Sequence, residues 1–156
     1  MQLYSYTAPI AGGNCTISSH YLKNGERLTV TPPALLFVAQ GCGKVRGMPL
    51  SDDHLFFLAE KCGEASLCAG SAKDTLCFLL SFPMAALSRV VAVDPGFFLC
   101  DRTFSSDIAR RETDFLRREI LPAVRNDEKG AQLYLSSLAD LLFIRLLRTH
   151  ATYTVR

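Results

Sequence analysis

The chain has 156 residues, of which 49% are hydrophobic and 21% are charged, and its formal net charge is +2. This apolar content excludes an intrinsically disordered chain, and so small a charge excess excludes a broad nucleic-acid-binding surface. No run of about 18 uncharged apolar residues occurs, so no transmembrane helix is expected. The first residues lack the basic and apolar regions of a secretory signal, which predicts a cytoplasmic protein without a membrane partner.

Residues 1–100 have the pattern of a β domain. Short segments rich in β-branched and aromatic residues alternate with breaks at glycine, proline and asparagine, which is typical of a sandwich or a barrel. Asn24-Gly25 is the strongest turn motif, because both residues tolerate a positive φ. It predicts a hairpin that pairs residues 18–22 with residues 27–30.

Residues 101–156 mix charged residues with leucines at helical spacing. A first helix is predicted from Ser105 or Ser106 to about residue 121, where Pro122 would kink or end it. A last helix is predicted over residues 131–149. Its apolar arc is too wide for one contact, so one side is expected to pack on the β domain and the other on a second copy of the chain. The leucines assigned to this homodimer interface are Leu135, Leu138, Leu141, Leu142 and Leu146.

The six cysteines are scattered and form no C-x-x-C pair. Several of them lie in apolar runs, which favours buried thiols that pack as small hydrophobic side chains. A redox switch through Cys62 and Cys68 is the alternative interpretation. The set lacks the spacing of a metal site.

The residues expected of a catalytic site do not converge. His20, His54 and His150 lie in three separate segments, each without a second ligand at metal-site spacing. Asp52 and Asp53 precede His54, but adjacent residues alternate across a strand and do not meet. G-x-S-x-G, P-loop and dinucleotide-binding motifs are absent from the sequence. We therefore expect no catalytic residue, no metal and no cofactor, and the chain is not expected to be an enzyme.

One predicted strand suggests a place for a ligand. Over residues 15–22, Ile17, Ser19 and Tyr21 share one face of the strand. If Ile17 points into a barrel, Ser19 and Tyr21 bring polar groups there, and buried polar groups need hydrogen-bond partners. In a sensor that partner would be a small ligand, so Ser19 and Tyr21 are the candidate ligand-binding residues. A backbone group or a buried water is the alternative partner.

Three segments follow one another in a recognisable order. Residues 25–41 have the pattern of a strand, a proline turn and an apolar strand. Residues 75–87 have the pattern of a strand that leads into a short helix, and residues 134–148 have the pattern of a leucine-rich helix. In this order they resemble the amino-terminal half of AraC-type transcriptional regulators. The resemblance implies an α+β fold, with a cupin-like β barrel or jelly roll at residues 1–100 and a two-helix dimerisation segment packed on it at residues 101–156. It also implies a homodimeric regulatory domain that senses a small-molecule effector or a regulatory protein.

Two features of related families are missing. The histidine and glutamate ligands of enzymatic cupins are absent, which agrees with a sensor rather than a catalyst. The family's paired helix-turn-helix motifs do not follow the last helix, so contact with DNA is expected only through a separate domain. Two other functions stay open, namely a protein-interaction adaptor with a filled barrel and a small cupin enzyme. A barrel interior filled by side chains would favour the adaptor, and a stoichiometric metal would favour the enzyme.

Overall fold

The computed structural model describes residues 1–10, 13–31, 33–58, 65–70, 73–83, 85, 97–98, 102–104, 110–126, 130–150 and 152–153. The strands are β1 (Gln2–Ile10), β2 (Gly13–Leu22), β3 (Arg27–Val30), β4 (Ala34–Gln40), β5 (Cys42–Val45), β6 (Met48–Ser51), β7 (Leu55–Leu58), β8 (Ala65–Ala69), β9 (Thr75–Ser81), β10 (Phe97–Phe98), β11 (Arg102–Phe104) and β12 (Thr152–Tyr153). The helical elements are α1 (Arg110–Phe115), a π-helical turn (Leu116–Ile120), α2 (Leu121–Asn126) and α3 (Ala131–His150).

The strands form two main antiparallel sheets. The larger sheet has the order β1-β2-β9-β4-β7-β11, and the smaller has the order β3-β8-β5-β6. Strands β10 and β12 pair separately. Among the described residues no strand pairs within both main sheets, so the two sheets form a sandwich that hydrogen bonds do not close into a barrel. The predicted class, antiparallel sheets followed by helices, is confirmed.

The turn at Asn24-Gly25 forms, but the hairpin predicted around it is wrong. Gly25 has a φ of 81°, and the Glu26 amide donates to the Lys23 carbonyl at 3.0 Å. Strand β2 then pairs with β1 and β9, whereas β3 pairs with β8 in the other sheet. Backbone bonds from Gly25 to Ala69 and from Ala69 to Glu26 tie the turn to the end of β8. The chain therefore changes sheets here.

A second change of sheet depends on Gly41, between β4 and β5. Its φ of 98° is one that residues with a side chain rarely adopt. A Cβ at this position would lie 2.7 Å from the carbonyl oxygen of Asp74, so the corner has no room for one. Glycine thus allows the buried strand β4 to continue into the smaller sheet.

The larger sheet is buried on both faces, as the continuous apolar run of β4 requires. One face carries Ile17, Phe37 and Leu80, which belong to the same core cluster as the helices. The opposite face carries Leu36 and Val38, which belong to the core cluster shared with the smaller sheet. Burying a side chain of this size contributes about 1.5–3 kcal/mol, so both cores stabilise the fold.

The helix that begins at Arg110 continues past Pro122 to Asn126. A proline in a regular α-helix clashes with the carbonyl four residues earlier. Here the wider π-helical turn precedes it, and the amide of Leu121 donates to the carbonyl of Leu116, five residues back. The predicted serine cap lies outside the described residues. None of the helices in the described part of the chain is long and apolar enough to cross a membrane.

The leucine face of α3 assigned to a dimer interface packs instead within the protein. Leu135 and Leu142 are fully buried, and Leu138 is 8% exposed. All three belong to the core cluster between the helices and the larger sheet, so their assignment to the interface is wrong. Leu141 lies next to Leu138 on the helix surface, at the edge of the buried face, and is 44% exposed. The side chain of Leu146 lies outside the described ones.

Candidate functional site

The two residues predicted to bind a ligand do not point into the space between the sheets. Ser19 is paired with Phe78 and is 1% exposed, and it shares the helix-facing side of the sheet with Ile17. Its hydroxyl has no hydrogen-bond partner among the described residues. The Tyr21 hydroxyl donates to Asp74 at the surface, and this bond raises the pKa of Tyr21. The prediction of a barrel site at Ser19 and Tyr21 is therefore wrong about the face.

The polar residues between the sheets are their neighbours, Ser18 and His20. The Ser18 Oγ and the His20 Nε2 lie 2.7 Å apart, and both residues are buried. Burial, together with the nearby terminal ammonium group, lowers the pKa of His20. Burial therefore favours the neutral imidazole, and its hydrogen bond with Ser18 pairs the two side chains inside the core.

In the part of the chain that the structure describes, the side chains that face the space between the two sheets form a buried apolar core. The residues of this core that are no more than 1% exposed are Val30, Ala34, Leu36, Val38, Val45, Leu50, Phe56, Leu58, Leu67 and Cys77. A separate cavity lies along the smaller sheet.

A cavity of about 570 Å³ opens beside strands β5, β6 and β8. Two glycines allow the segments beside it to approach closely: a Cβ on Gly43 would lie 2.7 Å from the Cys68 carbonyl oxygen, and a Cβ on Gly70 would lie 2.5 Å from the Cys42 Sγ. No sequence motif marks the cavity, because its walls come from three strands and a turn. The residues that line it are Cys42, Gly43, Lys44, Pro49, Leu50, Ser51, His54, Cys68, Ala69 and Gly70.

Three side chains of the cavity lie on one face of the smaller sheet. Lys44 is directly opposite Cys68 in the register, and Cys42 lies two residues before Lys44. The alternate pair, Val45 and Leu67, is buried in the core on the other face. Antiparallel alternation therefore turns one ammonium group and two thiols toward the side away from the core.

His54 adds a hydrogen-bond donor to the cavity. Its Nδ1 accepts a hydrogen bond from the Ser51 amide at 3.0 Å. A neutral imidazole that accepts at Nδ1 carries its proton on Nε2, so the free nitrogen of His54 is a donor. Lys44 and His54 together can therefore bind a carboxylate or carbonyl oxygen of a molecule whose apolar part lies along Pro49, which is opposite Lys44 in the register.

The turn that carries His54 is joined to the helices. Asp53, which has a φ of 65°, forms an ion pair with Arg117 of the π-helical turn. The Arg117 guanidinium also lies 5.1 Å from the centre of the Phe37 ring and donates to the Ala39 carbonyl at 3.5 Å. Because Asp53 directly precedes His54 in the chain, its ion pair with Arg117 connects the wall of the cavity to the helical layer.

The four described cysteines fall into two kinds. Cys15 and Cys77 are buried, and burial raises the pKa of each thiol to about 12. Cys42 and Cys68 are free and half-buried. Cys62, one member of the redox pair considered from the sequence, lies outside the described residues. In the described part of the chain, no three histidine, cysteine or acidic residues are placed to hold a metal ion.

The arginine pairs of the first helix are offset by acidic residues. Arg111, Arg118 and Arg145 line a second, more open hollow of about 360 Å³ together with Asp114 and Glu119. This mixture of charges is not the clustered excess of cations that a phosphate backbone requires.

Solved structures show where this fold occurs. The chain is similar to ToxT from Vibrio cholerae, an AraC-family regulator, with a TM-score of 0.52 and 8% identity over 91% of this chain and 60% of that one. It is also similar to ToxT with a bound unsaturated fatty acid (TM-score 0.51, 8% identity, 91% and 58% covered). A third similar structure is ToxT bound to (E)-4-(8-methylnaphthalen-1-yl)but-3-enoic acid (TM-score 0.50, 7% identity, 91% and 60% covered).

These matches establish the fold. The chain shares the cupin-like fold of the amino-terminal regulatory domain of ToxT, as the resemblance of its sequence segments implied. It spans about 60% of the ToxT chain. No protein-family model matches the sequence, and a search of curated proteins also finds no match.

Proposed function

We propose that this chain is the regulatory domain of an AraC-type transcriptional regulator and that it senses a small effector in the cavity beside Lys44 and His54. The observation that carries the proposal is the fold shared with ToxT over nine tenths of the chain. Residues 1–100 would form the sensing unit and residues 101–156 the helical dimerisation unit. The domain itself would perform no catalysis, and DNA would be contacted by a separate domain.

The chemistry of the cavity favours an apolar carboxylic acid as the effector. Both ligands named for ToxT are carboxylic acids with a large apolar part. Lys44 supplies an ammonium group and His54 a hydrogen-bond donor, while Pro49 supplies an apolar wall. A charge-assisted hydrogen bond to a carboxylate is about twice as strong as a neutral one, so Lys44 should dominate the recognition of the head group.

Calorimetric titration with oleic acid tests this proposal. We expect saturable binding to the whole chain, and we expect Lys44→Met to weaken it by about ten- to a hundredfold, because a hydrogen bond to a charged group is worth about 1.5–3 kcal/mol. Arg110→Met is the matched control, since it removes an exposed cation outside the cavity. Equal loss of affinity in both variants would contradict a specific carboxylate site at Lys44.

We also propose that α3 forms the homodimer contact, through the side that faces away from the core. Leu133, Leu141 and Ile144 are 76%, 44% and 50% exposed and lie within one stripe of the helix. A two-fold interface uses the same patch on both copies, so an apolar stripe on a helix can pair with itself. Leu141→Asp should make the protein monomeric in sedimentation experiments, and an unchanged dimer would refute this contact.

A protein-interaction adaptor is the second candidate function. The observation that favours it is the buried apolar core between the sheets, since a packed interior is what an adaptor without a small ligand would have. In this case the regulatory input would be another protein, and oleic acid would not bind in the titration described above. Saturable binding that depends on Lys44 would therefore favour the effector-sensing domain over the adaptor.

A further inference from the structure

The cavity holds two nucleophilic groups that non-covalent recognition of a carboxylate does not use. The thiols of Cys42 and Cys68 are free, half-buried and part of the same cavity wall. The Cys42 Sγ occupies the place that a side chain on Gly70 would take, since a Cβ there would lie 2.5 Å from it. A glycine at position 70 therefore leaves room for this thiol along the wall.

Groups that can bind an oxygen atom lie beside the thiols. Lys44 is directly opposite Cys68 in the register of β5 and β8. His54, whose Nδ1 is occupied by the Ser51 amide, offers its Nε2–H to the same cavity. Covalent capture of an α,β-unsaturated carbonyl compound requires a thiol and hydrogen-bond donors close to each other. The sulfur attacks one end of the conjugated system, and the donors stabilise the negative charge that develops on the oxygen at the other end.

We propose that the cavity captures α,β-unsaturated carbonyl compounds covalently, at the thiols of Cys42 and Cys68. The sulfur forms a bond to the β-carbon, the C=C π bond breaks, and its electron pair moves onto the carbonyl oxygen, where Lys44 and His54 donate hydrogen bonds. The proton lost by the thiol is delivered to the α-carbon, which restores the carbonyl and leaves a thioether. The addition needs neither an oxidant nor a reductant, and it rests on the proposed effector cavity.

The test uses the whole chain and a pair of matched probes. The reactive probe is (E)-3-nonen-2-one, and the control probe is 2-nonanone, which has the same chain without the double bond. Mass spectrometry of the intact protein follows adduct formation, and peptide mapping assigns each adduct to a cysteine. We expect the rate at Cys42 and Cys68 to saturate with probe concentration and to exceed that of N-acetylcysteine by about tenfold or more, because binding precedes the chemical step. We also expect 2-nonanone to slow the capture.

Variants separate a reactive cavity from merely accessible thiols. Replacing both Cys42 and Cys68 with serine should abolish the fast adducts, and Lys44→Met should slow them. In the double-serine background, Ser66→Cys places a thiol on the same face of β8 but outside the cavity lining, and it should react at the rate of N-acetylcysteine.

Three results would overturn the proposal. The first is a rate at Cys42 and Cys68 that rises linearly with probe concentration and equals that of the thiol introduced by Ser66→Cys. The second is a lack of protection by 2-nonanone. The third is saturable binding of oleic acid without fast adducts, which would leave the effector cavity in place and remove covalent capture. Fast, saturable adducts without any binding of oleic acid would instead support capture and contradict the carboxylic-acid effector.

Discussion

Replacing Leu142 with alanine should destabilise the protein far more than the same change at its neighbour Leu141. Leu142 is fully buried in the core between α3 and the larger sheet, whereas Leu141 is 44% exposed. Leu→Ala removes three buried carbon atoms, which accounts for about 2.4 kcal/mol at about 0.8 kcal/mol each. The cavity that remains adds to this cost, so a total of about 3 kcal/mol is expected, within the usual range of about 2–5 kcal/mol. In dilute solution, where association does not contribute, Leu141→Ala should cost less than about 0.5 kcal/mol.

Urea unfolding followed by circular dichroism measures this difference. With an m-value of about 1–3 kcal/mol per molar urea, the midpoint of Leu142→Ala should fall by about 1–3 M. The midpoint of Leu141→Ala should stay near that of the unmodified chain at low protein concentration. Similar losses in both variants, or a Leu142→Ala protein that dissociates without losing stability, would refute the packing of this face of α3 on the sheet.

Three further predictions concern a corner, a buried histidine and the buried thiols. Gly41→Ala should destabilise the fold by more than Gly47→Ala in thermal unfolding: both positions have positive φ, but only the Cβ at position 41 would meet a backbone carbonyl. Because the pKa of His20 is lowered in the folded protein, the unfolded chain binds a proton first as the pH falls below about 6.5. The unfolding free energy should therefore decrease from pH 7 to pH 5. His20→Gln should remove the contribution of this histidine to the dependence of the unfolding free energy on pH. Cys15 and Cys77, with pKa values raised to about 12, should react with Ellman's reagent only when urea unfolds the chain, and fast labelling under native conditions would contradict their burial.

The sequence allowed the class of fold and several local features to be predicted, because these depend on local pattern. The long helix α3 forms as the pattern indicates, and the chain turns at Asn24-Gly25, although only Gly25 has the positive φ that was expected of both residues. The pairing of β2 with β3 failed because a turn motif specifies the reversal of the chain but not the sheet that each strand joins. In this fold, backbone bonds between the turn and Ala69 direct β3 to the other sheet.

The candidate site was harder to predict, for a reason visible in β2. Alternation correctly groups Ile17, Ser19 and Tyr21 on one face, but it does not say which face meets the second sheet. Both faces of this sheet are covered, one by helices and one by strands, so a buried isoleucine does not identify the inner side. The inner polar pair is Ser18 and His20.

The same ambiguity affected α3, whose apolar arc extends around most of the helix. Its pattern predicts that two sides are covered but cannot assign Leu138 and Leu142 to the core and Leu141 to the outside. The cavity at Lys44 and His54 depends on three strands and on two glycines with close neighbours. Contacts of this kind arise from tertiary structure, and no local spacing in the sequence records them.

Hydrogen–deuterium exchange of residues 1–156, with and without oleic acid, tests the proposed location of effector sensing most directly. We expect slower exchange in β5, β6 and β8 and in the turn that carries His54, because these elements line the cavity. Lys44→Met should remove this protection at the same concentration of oleic acid. Protection confined to β2 and the helices, or protection that Lys44→Met leaves unchanged, would contradict an effector site on the smaller sheet.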